Sequence, residues 1–118
     1  VAIRVFLVDD HQVVREGVRH LLENAGDIEI VGEAGTAQDA LEGVAASEPD
    51  VVLLDVRLPD GSGIDVCREI RSSQPHVRSM ILTSYADDEA LAMAIMAGAA
   101  GYALKQINGS DLVSSIRT

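Results

Sequence analysis

Cysteine, positive charge and long apolar runs are all scarce in this sequence. Cys67 is the single cysteine among 118 residues. No disulfide can form within the chain, and a reducing, cytoplasmic location is expected. Nine basic residues face nineteen acidic ones, and the net charge of -10 opposes contact with nucleic-acid phosphates or an anionic membrane. Any control of DNA would need a further segment. The longest uncharged run, Ala90 to Leu104, is shorter than the ~20 residues a spanning helix needs and is largely alanine and glycine. No secretory signal is expected, because the first apolar stretch, Val5 to Val8, runs directly into Asp9 and Asp10. No Pro-rich, Gly/Ser-rich or charge-block linker divides the chain. One domain over residues 1–118 is therefore expected, large enough to bury a core without staples.

What is present is a repeated alternation. Short apolar runs recur at Ile3–Val8, Ile28–Val31, Val51–Leu54, Met80–Leu82 and Gly101–Leu104, with room for one helix in each gap. Val14, Val18, Leu21, Leu22 and Ala25 share one helical face, and Gly26 can end that helix. Ala37, Ala40, Leu41, Val44 and Ala45 share another, opened by Thr36 with Asp39 three residues on, a capping-box spacing. Ser62 and Asp65 open a third helix that ends before Pro75; Asp87, Asp88 and Glu89 open a fourth; Leu112, Val113 and Ile116 suggest a fifth. Five β-then-α units predict an α/β fold, a doubly wound parallel sheet with helices on both faces. Uninterrupted apolar strands such as Val51–Leu54 fit a sheet covered on both sides.

In such folds chemistry gathers beyond the carboxyl ends of the strands. There the sequence places Asp9 and Asp10, then Asp55, then Thr83 and Ser84, then Lys105. Clustered carboxylates repel one another, and a cation among them relieves this. An oxygen-only set suits Mg²⁺, and no His/Cys spacing suggests zinc. A carboxylate beside Mg²⁺ can attack phosphorus, with Lys105 offsetting the added charge and the Thr83 hydroxyl bonding a phosphoryl oxygen.

These residues also carry a resemblance. Asp9-Asp10, Leu54-Asp55 followed by Leu58-Pro59-Asp60-Gly61, Thr83, and Gly101-Tyr102 leading to Lys105 resemble the response-regulator receiver pattern along the whole chain. Asp9-Asp10-His11, Val56 to Gly61 and Leu82-Thr83-Ser84-Tyr85 are most similar to regulators with a LuxR/NarL-type DNA-binding domain, and among them to the actinobacterial dormancy and hypoxia regulators. The resemblance implies a flavodoxin-like strand order 2-1-3-4-5. It implies that Asp55 receives a phosphoryl group from a sensor histidine kinase. Mg²⁺ would be held by Asp10, Asp55 and the Arg57 carbonyl, with Asp9 acting through water. Thr83 and Tyr102 would form the switch pair, and Lys105 would contact the phosphate. The resemblance implies an output domain beyond residue 118 as the only route to DNA; a homodimer is among the assemblies it allows. Many receivers follow the lysine with proline, whereas here Gln106 follows Lys105. Arg57 and Tyr85, each two residues beyond a key position, are expected to flank the path of a hydrolytic water and prolong the phosphoform.

Plainer readings compete. Asp9 and Asp10 could cap the first helix, Asp55 could start a turn, Thr83 could end a strand, Lys105 could lie on the surface, and Tyr102 could simply pack. His11 is read as an exposed helix-start residue, and His20 and His76 as without function. Cys67, spaced with Ile64 and Ile70, is read as core, and the Gly32–Gly35 and Gly61–Gly63 stretches as turns. Three rival functions remain. A nucleotide or flavin binder would want glycines or hydroxyls after the first strand rather than Asp9-Asp10. An aspartyl phosphatase would want an acid where Arg57 stands. A degenerate receiver, serving only as a binding module, would not keep the full acidic set.

Overall fold

A computed structural model of the chain describes residues 3–55, 57–83, 101–104 and 116; for Arg57, Leu82, Thr83 and residues 101–104 the description is of the backbone. The elements run β1 (Ile3–Val8), α1 (Gln12–Glu23), β2 (Ile28–Ala34), α2 (Ala37–Ser47), β3 (Val51–Leu54), β4 (Arg57–Leu58), β5 (Gly61–Ser62), α3 (Gly63–Ser73), β6 (Arg78–Thr83) and β7 (Gly101–Leu104). Five of the strands form one sheet in the order β2-β1-β3-β6-β7, every pair parallel. Setting aside the small β4-β5 hairpin, this is the expected 2-1-3-4-5 order. The expected fourth helix lies outside the described residues. Of the fifth, Ile116 is helical and buried.

Strand alternation divides the core in two. Phe6, Val8, Val52, Leu54 and Ile81 point to one face, under Ala40 and Val44 of α2 and Ile64, Cys67 and Ile70 of α3. Val5, Leu7, Val51, Leu53 and Met80 point to the other, under Leu22 and Val18 of α1 and under Ile116. The central strand β3 is thus apolar and buried on both sides, as a covered parallel sheet requires. Cys67 is core, and burial pushes its thiol pKa up.

The expectation that the glycine stretches are turns needs correction. Gly32 lies inside β2, where a bulge between the Val5 and Phe6 pairings lets that strand run on to Ala34. A Cβ on Gly32 would sit 2.5 Å from the Phe6 ring, and one on Gly43 of α2 would sit equally close to it. Both glycines make room for the chain's one phenylalanine. Gly61 belongs to β5 and Gly63 opens α3. Gly26, at φ 84°, does turn the chain after α1, as expected.

Candidate functional site

Register brings the carboxylates together. Val8 pairs with Leu54 across β1 and β3, so the next residue on each strand is an aspartate. The ladder runs one step past both strands: the Asp55 N–H donates to the Val8 carbonyl at 2.9 Å, and the Asp9 N–H to the Ala34 carbonyl at 3.0 Å. Asp9 and Asp55 are 6% exposed, whereas Asp10 is open to solvent. One ligand atom from each of Asp9, Asp10, His11 and Asp55 falls in a set whose members all lie within 4.8 Å of one another. Buried carboxylates this close are costly without positive charge among them. The three carboxylates fit a hard divalent cation, and the set could hold a metal ion.

The start of α1 closes this pocket. His11 is the N-cap residue, but its side chain makes no capping hydrogen bond. Asp9 Oδ1 accepts the His11 backbone N–H at 2.8 Å, and the His11 ring turns back so that Nδ1 lies 3.2 Å from Asp9 Oδ1 and 3.1 Å from Asp10 Oδ1. The reading of Asp9 and Asp10 as simple helix caps does not account for Asp9, which accepts from His11, the N-cap residue itself, and whose carboxylate lies in the pocket. One turn on, Arg15 Nη1 donates to the Asp9 carbonyl oxygen. Arg15 Nε sits 3.3 Å from Glu33 Oε1, an ion pair without hydrogen-bond alignment. Glu33 also takes a 2.7 Å bond from Arg19. This chain of charges fixes the backbone of Asp9 from behind.

The segment after Asp55 is fixed by α2. β4 and β5 pair as a minimal hairpin, Arg57 opposite Ser62 and Leu58 opposite Gly61, with Pro59 and Asp60 at its tip. Leu58 anchors the hairpin in the core. Asp60 Oδ1 accepts from the Ala37 N–H at 2.6 Å and Oδ2 from the Gln38 N–H at 3.1 Å. Those two bonds hold the Asp60 carboxyl below its ordinary value, because only the ionised form accepts both fully. Thr36 Oγ1 takes the Asp39 N–H at 3.1 Å, as its spacing predicted.

The chain matches the response regulator receiver domain family over residues 5–117. It belongs to that family. The receiver is 50% identical over 115 residues to the DNA-binding transcriptional activator DevR/DosR of Mycobacterium tuberculosis, covering 98% of this chain and 53% of that protein. It thus spans about half the length of the curated relatives it matches. Among solved structures it is similar to the signal receiver domain of the response regulator NarL from Mycobacterium tuberculosis, with TM-score 0.95, 34% identity, and coverage of 98% of this chain and 94% of the other. It is also similar to a LuxR-family two-component response regulator from Aurantimonas sp. SI85-9A1, with TM-score 0.94, 36% identity, and coverage of 99% and 84%. The LuxR/NarL-type resemblance read from the motifs agrees with these neighbours.

Within the receiver, Asp9, Asp10 and Asp55 meet as expected. Leu54 stands opposite Ile81, two residues before Thr83, and Thr83 stands opposite Leu104 on β7, with Tyr102 opposite Ile81. The backbone of Arg57 lies on the hairpin two residues after Asp55. Lys105 and Tyr85 lie outside the described residues, as do the side chains of Arg57, Thr83 and Tyr102 and the Lys105–Gln106 peptide. Among the described residues no helix is long and apolar enough to cross a membrane. His20 and His76 are exposed. Arg15 carried no signal that sequence reasoning used, and Asp60 entered only as part of the Leu58-Pro59-Asp60-Gly61 stretch. For Arg15, its place one turn after His11 was the available clue.

Proposed function

We propose that the receiver is a phosphorylation switch in which Asp55 accepts a phosphoryl group from the phosphohistidine of a sensor histidine kinase. The observation that carries this is the meeting of Asp9, Asp10 and Asp55 at the ends of two adjacent central strands, with two of the three carboxylates buried. A carboxylate oxygen of Asp55 attacks phosphorus, the P–N bond of the donor breaks, and its electron pair leaves with the imidazole nitrogen. Asp10, Asp55 and the Arg57 carbonyl would hold Mg²⁺, with Asp9 acting through water; the ion would supply charge neutralisation for the incoming phosphoryl oxygens. Lys105 pairs with the phosphate, and Thr83 bonds a phosphoryl oxygen while Tyr102 rotates toward the space left. The output is an attached DNA-binding domain beyond residue 118. The 53% coverage of DevR/DosR supports this, as does the charge of -10, which suits the described domain poorly to DNA itself. Treatment with acetyl phosphate and Mg²⁺, followed by intact mass, should give one phosphoryl group on the wild type and none on Asp55→Asn. Full incorporation in that variant would sink the assignment.

Arg57 and Tyr85 guard the acyl phosphate from water, and their size supports the reading. Misplacing an attacking group costs of order 10²-fold in rate. Arg57→Ala and Tyr85→Ala should each speed first-order decay after donor removal. Equal rates in all three proteins would remove both residues from this role.

A further inference from the structure

His11 occupies the mouth of the pocket, and its side chain is 65% exposed. An exposed histidine at a helix start would ordinarily extend into water, yet Nδ1 here faces two carboxylates at 3.2 and 3.1 Å. Two adjacent ligands on an octahedral ion with bonds of about 2.1 Å lie about 3.0 Å apart. The 3.1 Å spacing to Asp10 therefore suits two ligand atoms that share one ion, while Asp9 stays within hydrogen-bond reach. The backbone of His11 is held independently of its ring. The backbone N–H of His11 is already given to Asp9 Oδ1, and this short turn holds the residue over the pair whatever the ring carries. Oxygen-only sets are magnesium chemistry, whereas an imidazole nitrogen raises affinity for borderline ions.

We propose that His11 is a nitrogen ligand to the divalent ion of this pocket, and that it biases the site toward borderline ions such as Co²⁺, Ni²⁺ and Zn²⁺ over Mg²⁺. The inference rests on the metal site of the proposed function and adds a residue that sets metal identity. The competing role is hydrogen bonding. A protonated Nδ1 donates to Asp9 and Asp10 and leaves the metal to oxygen alone, and one nitrogen cannot do both at once.

The chain has three histidines, and His20 and His76 are exposed. Replacing both with Gln leaves His11 as the only imidazole. In that background, Co²⁺ and Mg²⁺ affinities are measured by calorimetry with and without His11→Gln. Pulsed EPR of the chain with one equivalent of Cu²⁺ reads imidazole nitrogen coupling directly. The expected result is Co²⁺ binding at least about tenfold tighter than Mg²⁺. His11→Gln should abolish the nitrogen coupling and weaken Co²⁺ binding far more than Mg²⁺ binding, removing most of that preference. His11→Asn should behave the same, and unchanged melting of both variants would exclude misfolding. Persistence of the nitrogen coupling in His11→Gln overturns the proposal. So does equal loss of both affinities, or no loss of either. If Mg²⁺ binds and Asp55 is phosphorylated while Co²⁺ is indifferent to His11, this inference alone falls. If neither ion binds, the metal site itself falls with it.

Discussion

α1 and α2 begin at the same edge of the sheet, after the neighbouring strands β1 and β2, and their first turns are treated in opposite ways. At α2 the leading amides are all taken: Ala37 and Gln38 by Asp60, Asp39 by Thr36. At α1 the N-cap side chain makes no such bond, although two aspartates stand directly before it. Aspartate at a helix start ordinarily stabilises it, through hydrogen bonds and through the helix dipole. In α2 a carboxylate borrowed from a distant hairpin does this. In α1 the local carboxylates are turned into the pocket, and the helix is held by packing of Leu22, Val18 and Leu21 against the sheet. The same residue type at equivalent edges thus caps a helix in one place and lines the acidic pocket in the other.

Asp10→Asn tests the chemical side and should have the largest effect. Loss of a charged ligand should weaken Mg²⁺ binding by more than about tenfold. Melting temperature should hold or rise, since a repelling charge is removed. If titration shows unchanged Mg²⁺ affinity while the protein loses the ~1 kcal/mol typical of a missing cap, Asp10 is a cap and the contrast with α2 disappears.

Asp60→Ala tests the structural side. It strips two bonds from the start of α2 and frees the hairpin tip, so melting temperature should fall at neutral pH. The lowered Asp60 pKa sets the pH dependence. A group whose folded pKa lies below its unfolded one contributes fully above the unfolded value and loses that contribution as pH falls through the folded one. The gap between wild type and variant should therefore be full near pH 7 and shrink below the ordinary value of 3.8. Thermal melts across that range would show it, and a gap independent of pH would mean that the carboxylate charge is not what holds α2.

The smallest effect is expected at the far end of α2. Glu48 ends that helix in the left-handed region, at φ 47°, with its N–H bonded to the Val44 carbonyl. Glycine adopts this conformation without the Cβ conflict. Glu48→Gly should stabilise by up to about 1 kcal/mol in denaturant melts. A destabilised variant would show that the Glu48 side chain matters more than the backbone strain.

Asp9, Asp10 and Asp55 were legible because each follows an apolar run, and the end of a buried strand is a local pattern. The helix starts at Thr36 and Ser62 were legible for the same reason, since a cap and its amide lie within a few residues. Asp60 was not: Pro59-Asp60-Gly61 reads as a turn, and the amides it caps lie 22 and 23 residues away. Gly32 misled in the opposite direction, because its reason is the Phe6 ring on the adjoining strand. His11 was read as exposed, and it is, but exposure did not reveal which way the ring turns.

By itself the sequence determined the order of strands and helices, the two-sided burial of the sheet and the acidic residues at its edge, because hydrophobic period and capping act within a turn or a strand. The tertiary structure alone decided that Val8 stands beside Leu54, that Asp60 reaches α2, and that the His11 ring faces two carboxylates. Those outcomes depend on register and packing between segments far apart in the chain, and no local pattern of residues encodes such distances.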